Sequence, residues 1–594
     1  MKKLLSLFLI CILLLTLASC KEKDDGPTVP TPDEPAAEKV HIFVLAGQSG
    51  ARGKALVSDL SDDDRKSSDD VFILADGLPM GELNNIPSVD DSLYIDVLEP
   101  GYGDFPSEFG PEIGMGQTLA SVYPKLDADY KTVIVKYTAS GSTITDHWYS
   151  GSAVDDPELA DHINLGQSVN TDKGDETGPL TKNLYDLVNM AIAEVESFGY
   201  EAVVEGMAFV HGEQDAKFDE NMEIYEKALG YFISDFRAYF ECPDMPVVIT
   251  EALTNSAKHS NRLREIQASV AEKMNNVSLI NTWDLYTNTF EPWHFGAQSN
   301  IILGNRIAAE LASYNETREV VSIDENVIDV PLGASVELPS YVKASFTNGY
   351  SGYLKVLEYS SYDLNSPGEQ TVKFKAATAS GIKEFDLRVK VSADVAYVDG
   401  VLNEYSGAKK NDLPDGLGEV YVIKGDKGLY VAARINDADI WTDGENWHRG
   451  DMGQKGNNDD FRIYVTDSSA EDRITICLSA ANLLRVYGKG ISLSDSEVTL
   501  EFGNQVYKKQ IEGYKYHVTT YGTVNGAGST GMCLELYISY AELGINADDI
   551  MLCFNYSDVS SDSGIKSETD NYLTATSGNE ENDDSYFAIG QLVN

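Results

Sequence analysis

The sequence predicts a multidomain protein in which a three-layer α/β domain, built on a parallel sheet, precedes two β-sandwich domains. Its 594 residues are too many for a single core. Apolar strands alternate with helical segments as far as about residue 314, which is typical of a parallel sheet covered on both faces. Beyond residue 316, short alternating strands and turns take over, as in sandwich domains.

The composition excludes one class of partner. The chain carries 95 acidic and 45 basic residues, a formal net charge of −50, so it repels phosphate backbones and nucleic acid is not an expected partner. The 33 tyrosines and 49 glycines favour β-rich domains with many turns.

Residues 1–20 have the pattern of a signal peptide. Lys2 and Lys3 precede an apolar run that is shorter than the ~20 residues of a membrane span, and small residues follow it. The sequence from Leu17 to Cys20 resembles the bacterial lipobox, which implies a lipid on Cys20 and a membrane anchor. An ordinary signal peptide that happens to contain Cys20 is the alternative.

The acidic stretch after Cys20 resembles the surface-export signal of Bacteroidetes lipoproteins. It implies a place in the bacterial cell envelope, on the outer membrane, with the direction that the anchor faces left open. Residues 21–38 contain four prolines among polar residues, which is typical of an extended tether.

Residues 39–316 form the predicted α/β domain. We expect strands over 41–46, 132–137, 202–210, 246–251 and 277–281, and helices over 111–121, 181–196, 222–239, 261–274 and 300–313. Residues 317–394 are predicted to form an immunoglobulin-like sandwich that acts as a spacer, and residues 395–594 a larger sandwich.

The cysteines of the folded region show no metal-ligand spacing. Cys242, Cys477, Cys533 and Cys553 form no Cys-x-x-Cys pair and lie near no suitably spaced His. The last three lie in apolar stretches and are predicted to be buried as small hydrophobic residues. A disulfide among them is left open because the sequence selects no pair.

Ser49 is the candidate nucleophile. It follows the apolar run Ile42 to Ala46 and Gly47-Gln48, where a parallel strand would end. Ligands of open α/β sheets bind beyond the carboxyl ends of such strands. A plain turn is the alternative, since Ser and Gly populate turns for ordinary reasons.

Among eight histidines, His147, His211 and His294 have settings that suit a catalytic role. His294 is the candidate base because Glu291 precedes it by three residues, and one turn of irregular chain would bring the carboxylate to the imidazole. A histidine satisfied by local backbone bonds is the alternative. Gly141, in a Gly-Ser stretch after a predicted strand, is a candidate for an oxyanion hole.

Four ordered blocks carry a family resemblance: Gly47-Gln-Ser, Ala139-Ser-Gly-Ser-Thr, His211-Gly-Glu-Gln-Asp and Glu291-Pro-Trp-His-Phe. Together they resemble the sialate O-acetylesterase and acetylxylan esterase family, carbohydrate esterase family 6 of the SGNH hydrolase superfamily. Two further stretches, from Phe109 to Gly116 and from Leu303 to Ala308, strengthen the match.

The resemblance implies an SGNH-type fold over about residues 40–314 and a role for each matching residue. Ser49 is then the nucleophile, His294 the base and Glu291 the acid. The oxyanion donors are the backbones of Ser49 and Gly141 and the side chain of His211.

Supporting roles are implied for Gln48, Glu213 and Asp215. For the two acids, a structural role in which the carboxylates accept hydrogen bonds from backbone N–H groups of neighbouring loops is at least as good an interpretation as catalysis. The chain departs from the family pattern at Gly50 for Asn, Ser140 for Gly, Glu291 for Asp and His211 for Gln. A charged His211 would depress the pKa of His294.

In the C-terminal region, stretches beginning at Val398, Gly428, Asn457 and Leu534 resemble the family 9 carbohydrate-binding-module fold. Trp441 and Trp447 are candidates for stacking on sugar rings; filling a sandwich core is the equal alternative. A cluster of four aspartates, at 437, 439, 459 and 460, suits Ca²⁺, but chance clustering is the better explanation in so acidic a chain, and no metal site is predicted.

The function implied is a serine carbohydrate esterase that removes O-acetyl groups from acetylated glycans of the sialate or xylan type, without a cofactor. The main alternative is a glycan-binding surface lipoprotein whose esterase domain is weakened or inactive, which the Gly50 and His211 departures motivate. A lipase-like enzyme is a weak third alternative, because nothing in the sequence suggests a long apolar channel for an acyl chain.

Overall fold

The computed structural model describes residues 38–65, 70–123, 131–252, 259–285, 287–288, 291–324, 327–333, 338–398, 400–413, 416–438, 440, 459–466, 473–480, 483–489, 499–502, 505–508, 514–522, 529–544, 548, 550–560 and 567–572. For Glu291, Pro292 and Trp293 it describes the backbone alone. The predicted signal peptide, Cys20 and the tether to residue 37 lie outside these ranges, as do Trp441 and Trp447.

A seven-stranded sheet forms the centre of the N-terminal domain. Its strands are β1 (Lys39–Gly47), β2 (Val71–Leu78), β3 (Asp96–Val97), β4 (Thr132–Ala139), β5 (Glu201–Val210), β6 (Val247–Thr250) and β7 (Val277–Ile280). They lie in the order β7-β6-β5-β1-β4-β2-β3, and every pairing is parallel except that of β2 with β3. The predicted parallel sheet is confirmed, with β1 between β5 and β4.

Helices cover both faces of this sheet. They are α1 (Ser49–Arg52), α2 (Glu112–Val122), α3 (Pro179–Ser197), α4 (Asp219–Tyr239), α5 (Ser260–Lys273) and α6 (Ala297–Ala312). Alternate residues of β1 point to opposite faces, so Ile42 and Val44 pack with α3 and α4 while Phe43 and Leu45 pack with α2 and α6.

All five predicted strands and all five predicted helices are present, with ends displaced by up to three residues. The largest displacements are at the starts of α4 and α6, which begin three residues before the predicted positions. Strand β2 was missed: its short apolar run is followed at once by Asp76-Gly77, which is typical of a surface loop.

Residues 320–392 form two facing sheets around one core. The strands are β10 (Val320–Ile323), β11 (Ile328–Pro331), β12 (Tyr341–Phe346), β13 (Ser351–Lys355), β14 (Glu358–Tyr359), β15 (Gly368–Thr378) and β16 (Gly381–Ser392), ordered β10-β12-β13 and β11-β16-β15-β14; β8 (Thr287–Asn288) and β9 (Glu291–Phe295) precede them. Fourteen buried apolar residues fill the space between the sheets. An immunoglobulin-like connectivity stays a prediction.

This small sandwich is packed onto the α/β domain, and its role as a spacer between the two larger domains stays a prediction. Strand β13 lies against α2 and α6. Buried Arg318 donates to the Ser121 hydroxyl, 2.9 Å, and ion-pairs with Glu316, 2.7 Å. Tyr341 donates to Glu310 of α6, 2.9 Å. Polar side chains buried and paired in this way tie the two domains together.

The C-terminal region is β-rich. Its first sheet contains β17 (Lys409–Asp412), β18 (Gly418–Lys424), β19 (Gly428–Ile435), β25 (Tyr514–Gly522) and β26 (Ser529–Ser539), and its second contains β20 (Asp460–Thr466), β21 (Arg473–Ser479), β22 (Leu483–Lys489), β23 (Thr499–Phe502), β24 (Gln505–Lys508), β27 (Met551–Ser560) and β28 (Ser567–Tyr572). Apolar residues of both sheets share one core, as expected for a sandwich.

Cys477, Cys533 and Cys553 are free thiols buried in this region, as predicted, and Cys242 is a free thiol of the α/β domain. No helix within the described ranges combines the length and apolar character needed to cross a membrane.

Candidate active site

Ser49 lies where the central strand ends. Strand β1 finishes at Gly47, and the four-residue helix α1 begins at Ser49 itself. The Ser49 side chain is nearly buried, with 8% exposed. Among the described residues, nothing accepts a hydrogen bond from the backbone N–H groups of Ser49 and Gly50. The start of the helix therefore presents open donors beside a serine hydroxyl.

The glycine before this helix is required by its surroundings. Gly47 has a φ of 137°, and a Cβ there would lie 2.1 Å from the Val210 carbonyl oxygen of β5. The chain then turns because the Gln48 N–H donates to that same oxygen, 3.0 Å. The Gln48 side chain accepts from the Gly212 N–H, 3.2 Å, and so joins the Ser49 turn to the loop after β5.

His294 is brought to the same edge of the sheet by β9. This strand pairs with β8 and lies beside α1, and His294 is 9% exposed. Helix α6 begins three residues later, where the Asn300 amide donates to the carbonyl of Phe295, 2.9 Å. The backbone from 291 to 295 is a strand, which corrects the expected turn of irregular chain; the Glu291 side chain is not described, so its role stays a prediction.

A close helix crossing fixes where α6 can begin. A Cβ on Gly114 of α2 would lie 2.1 Å from the Ile301 carbonyl oxygen, and one on Gly304 of α6 would lie 2.0 Å from the Pro111 carbonyl oxygen. Asn305 then accepts from Thr118 across the crossing, 2.6 Å. The two stretches that strengthened the family resemblance therefore form one contact, which supports the start of α6 behind His294.

The loop after β4 lies on one side of Ser49 and carries Gly141, whose φ is +76°. The Gly141 N–H makes no hydrogen bond to a described residue. Before it, the Ser140 hydroxyl donates to Asp104, 3.0 Å, and Asp104 is ion-paired with Arg52, 2.6 Å, at the end of α1. One carboxylate thus joins the Gly141 loop to the helix that begins at Ser49.

A second charged pair lies beneath that junction. Lys136 of β4 and Glu112 of α2 are fully buried and their charged atoms lie 2.7 Å apart. The ammonium also donates to the carbonyl of Arg52, 2.8 Å, and Glu112 accepts from the Gly110 N–H, 2.9 Å. Burial lowers the pKa of Lys136 although Glu112 opposes the shift. Both charges are satisfied by hydrogen bonds, which a buried pair requires.

The loop after β5 lies on the other side of Ser49 and is held by uncharged contacts and one buried acid. Asp215 is fully buried and accepts from the Ile144 N–H, 3.0 Å, and from the Asn221 amide, 3.0 Å. Burial raises the pKa of Asp215 well above its usual range. Asp215 thus bonds a backbone N–H group of a neighbouring loop, which is one of its two expected roles, and it is fully rather than half buried.

His211 is buried between aromatic rings in this loop. Phe209 stacks on it at 4.8 Å, and its Nδ1 lies 3.0 Å from the Tyr225 hydroxyl. Burial, and secondly the neighbouring His147, lower the pKa of His211 to about 3, with the Ser142 backbone acting in the opposite direction. His211 is therefore neutral near pH 7, so it does not place a positive charge beside His294.

The tautomer of His211 follows from its neighbour. Burial raises the pKa of Tyr225, so the phenol keeps its proton, and no other described residue accepts that proton. We therefore assign the hydroxyl as the donor to Nδ1, which places the imidazole hydrogen on Nε2. Nε2 is fully buried without a well-aligned hydrogen-bond partner in the described ranges. The side chain thus offers one N–H, as the predicted oxyanion role requires.

His147 lies close to His211 but has a structural contact of its own. Its Nδ1 accepts from the Thr143 N–H, 3.1 Å, at the start of a short π-helix, Ile144–Trp148. Burial lowers the pKa of His147 as well. Both histidines of this face are thus uncharged at neutral pH.

Together, the structure brings Ser49, Gln48, Gly141, His211, Asp215 and His294 to one edge of the sheet. Glu213 lies in the same loop as His211 and is half buried. Trp441 and Trp447 lie outside the described ranges, so their sugar-binding role stays a prediction. Within those ranges, no three His, Cys, Asp or Glu side chains group as metal ligands.

Sequence reasoning missed four residues that shape this site: Asp104, Glu112, Lys136 and Tyr225. One of them left a signal, because Lys136 interrupts an apolar run that is otherwise a buried strand, and a lysine there needs an acidic partner. Asp104 and Tyr225 left none, since an aspartate among surface loops and a tyrosine on an amphipathic helix are ordinary.

Residues 39–313 match the model of a family described as carbohydrate esterase, sialic acid-specific acetylesterase. Among curated proteins, none matches the sequence.

Solved structures give distant likenesses. A protein from Arabidopsis thaliana is 16% identical, with 46% of this chain and 98% of that one covered and a TM-score of 0.32. A carbohydrate acetylesterase from Xanthomonas citri is 14% identical, with 58% and 71% covered and a TM-score of 0.32. A family 9 carbohydrate-binding module from Caldicellulosiruptor kristjanssonii is 11% identical, with 32% and 87% covered and a TM-score of 0.22.

Proposed function

Because residues 39–313 match the model of a carbohydrate esterase family described as sialic acid-specific acetylesterase, we propose that this protein removes O-acetyl groups from acetylated glycans by a Ser-His-acid mechanism. The observation that carries the proposal is the meeting of α1 and β9: Ser49 opens the helix, and His294 lies on the neighbouring strand. Both side chains are nearly buried at the carboxyl end of β1, which is where open α/β sheets bind their ligands.

In the proposed reaction, the Ser49 Oγ attacks the acetyl carbonyl carbon while His294 takes the hydroxyl proton. Glu291 is the proposed acid that orients the imidazole and stabilises its charged form. The tetrahedral intermediate then expels the sugar oxygen, which receives the proton from His294. Water, activated by the same histidine, attacks the acetyl-serine, and acetate leaves with Ser49 restored.

The negative oxygen of the intermediate is the group that most needs stabilisation. Three donors suit it: the backbone N–H groups of Ser49 and Gly141 and the Nε2–H of His211. No described residue takes up the first two, and the third is buried without a well-aligned partner. Donors already fixed in place need no reorganisation during the reaction.

The two departures that motivated the inactive alternative fit this site. A Cβ on Gly50 would lie 3.1 Å from a Val210 methyl group, so the glycine suits the packing of this particular chain. His211 is neutral and fixed in one tautomer, so it donates one hydrogen bond, as the amide of a glutamine would. Neither departure removes a group that the proposed steps use.

The test is release of acetate by the full-length protein. We expect activity on an aryl acetate and on acetylated xylan or acetylated sialic acid. Ser49→Ala should lower kcat by about 10⁴-fold or more, because the nucleophile is lost. The matched control is Ser58→Ala, which removes an exposed hydroxyl of the same domain. Equal rates for Ser49→Ala and the wild-type protein, or no activity on any substrate, would contradict the proposal.

Further proposals rest on sequence alone. The C-terminal sandwich is proposed to bind glycan through Trp441 and Trp447, which pull-down with acetylated xylan tests. Cys20 is proposed to carry a lipid that anchors the protein to the bacterial outer membrane. Labelling with a radioactive fatty acid tests the anchor: the wild-type protein should incorporate it, and Cys20→Ala should not.

A further inference from the structure

A cleft of about 840 Å³ lies where the α/β domain, the small sandwich and the C-terminal sandwich meet. All three contribute to its walls: Trp283 and Arg306 from the first, Tyr341 and Lys390 from the second, and Tyr430 and Tyr537 from the third. Its volume is in the range of ligand-binding cavities. The proposed catalytic steps use none of these residues.

Aromatic rings are a main feature of the cleft. Tyr430 and Tyr537 lie side by side on neighbouring strands of the C-terminal sandwich, with ring centres 4.8 Å apart, and both are half buried. On the α/β domain, half-buried Trp283 meets Tyr397 edge to face at 5.5 Å. Half-exposed rings of this kind offer flat apolar faces next to polar edges.

Charged groups of both signs lie among the rings. Arg306 is held by Asp284, 2.7 Å, so its guanidinium is fixed in place. Lys390 lies 3.8 Å from Asp426 and 4.0 Å from Asp329, too far for a tight ion pair. Flat rings bordered by donors and acceptors of both signs match the apolar faces and the hydroxyl edges of pyranose rings.

The cleft is connected to the catalytic region through one short segment. Strand β7 is followed by Trp283, then by β8 and β9 with His294. The neighbouring Thr282 donates to the carbonyl of Glu251, at the end of β6, 3.3 Å. The C-terminal sandwich also approaches α5. Burial, and secondly the positive charge of Arg264 on that helix, lower the pKa of His517 to about 4.

We propose that this cleft binds the glycan chain that carries the acetyl group, so that the preferred substrate is an oligosaccharide or polysaccharide rather than a single acetylated sugar. The consequence for substrate choice rests on the proposed esterase function; the binding of a glycan chain does not.

The first experiment measures binding without reference to activity. Amide hydrogen exchange of the full-length protein is followed with and without O-acetylated xylohexaose. We expect at least threefold slower exchange in peptides containing Trp283 and in peptides of β19 and β26, which carry Tyr430 and Tyr537. Tyr537→Ala should abolish this protection, and Tyr537→Phe, which keeps the ring, should retain it. Unchanged exchange in these peptides on adding the hexaose overturns the proposal.

The second experiment connects the cleft to catalysis. The ratio of kcat/KM for acetylated xylohexaose to that for an acetylated methyl xyloside is compared between proteins. We expect the ratio to fall at least tenfold in Trp283→Ala and Tyr537→Ala, mainly through KM. The control Tyr521→Ala, an exposed tyrosine of the same domain outside the cleft, should leave it unchanged.

The outcomes separate the two proposals. If the wild-type protein deacetylates both sugars and the ratio stays constant in the cleft variants, the cleft proposal is wrong and the esterase proposal stands. If the wild-type protein deacetylates neither sugar, the esterase proposal fails, and the hydrogen-exchange result alone decides whether the cleft binds glycan.

Discussion

The two loops that flank Ser49 are held in place by different physical means. On the β4 side, charged residues connect the Gly141 loop to α1 through Asp104, Arg52 and the buried Lys136–Glu112 pair. On the β5 side, His211 is neutral and held by Tyr225, Phe209 and hydrogen bonds to neutral groups. On the β4 side, ion pairs therefore fix the position of the Gly141 loop. On the β5 side, neutral contacts fix which nitrogen of His211 carries the hydrogen.

This difference matters because each loop carries a different kind of proposed oxyanion donor. A backbone N–H such as that of Gly141 needs only to be positioned, and ion pairs between fixed groups do that. A histidine side chain must also keep one hydrogen on one nitrogen, and a nearby charge would titrate it or turn it. The comparison yields three predictions, given from the largest expected effect to the smallest.

The largest effect is expected on the charged side. Glu112→Gln keeps an acceptor for the Gly110 N–H but removes the charge that faces Lys136. Breaking a buried pair by removing one partner costs about 3–5 kcal/mol, so the free energy of unfolding should fall by that amount. Hydrogen exchange of the β4 amides in the full-length protein measures it locally, since a multidomain chain does not unfold in one step.

A matched control for that variant is Glu384→Gln. Glu384 pairs with Lys373 at 2.8 Å, but both side chains are half exposed. Exposed pairs contribute about 0–1 kcal/mol, so β16 amides should exchange nearly as in the wild type. A loss below 1 kcal/mol for Glu112→Gln would show that the pair does not hold this side of the site.

On the neutral side, the effect depends on pH. In the unfolded chain His211 takes up a proton below about pH 6.5, whereas in the folded protein it does so only near pH 3. Its contribution to stability is therefore complete above pH 6.5 and is lost as the pH falls towards 3. Between pH 6.5 and pH 5, an interval of 1.5 pH units, this effect lowers the free energy of unfolding by about 2 kcal/mol.

His211→Gln should remove this part of the pH dependence. Stability of the variant and the wild-type protein is compared at pH 7.5 and pH 5 through exchange of the β5 amides, corrected for the intrinsic exchange rate at each pH. His147 and His517 also have lowered pKa values, so both proteins retain a slope, and the difference between them isolates His211. Equal slopes would mean that His211 is not buried as a neutral group.

The smallest effect is expected from Tyr225→Phe. Loss of the hydroxyl frees Nδ1 of His211, so the hydrogen divides between the two ring nitrogens. With a net hydrogen-bond contribution of about 1 kcal/mol, kcat for an aryl acetate should fall about three- to tenfold while KM stays constant. Tyr231→Phe, on the same helix but bonded to Asp156 at 2.6 Å, is the control and should keep full activity. A change in KM alone would exclude a role through the tautomer.

The fold and the candidate site were predictable to different degrees. Apolar periodicity predicted five of the seven sheet strands, since a buried parallel strand must be apolar throughout. It missed β2 because the run is short and followed by Asp-Gly. Ser49 and His294 could be proposed because each lies within a recognisable block of the sequence.

The rest of the site depends on contacts between distant parts of the chain. Asp104 is 36 residues from Ser140 in sequence, and nothing in either stretch specifies the other. The same holds for Tyr225, whose partner His211 lies on a separate element. At Glu291 the local structure itself was predicted wrongly, because the sequence suggested a turn where the backbone is a strand.

The glycine-to-glycine crossing of α2 and α6 has a consequence for how such sequences vary over evolution. Because a single added methyl group at Gly114 or Gly304 would meet backbone atoms near 2 Å, the two helices cannot separate without displacing the start of α6, three residues beyond His294. Substitutions at Gly114 and Gly304, both far from Ser49 in the sequence, should therefore be poorly tolerated. We therefore expect related sequences to keep glycine at both positions.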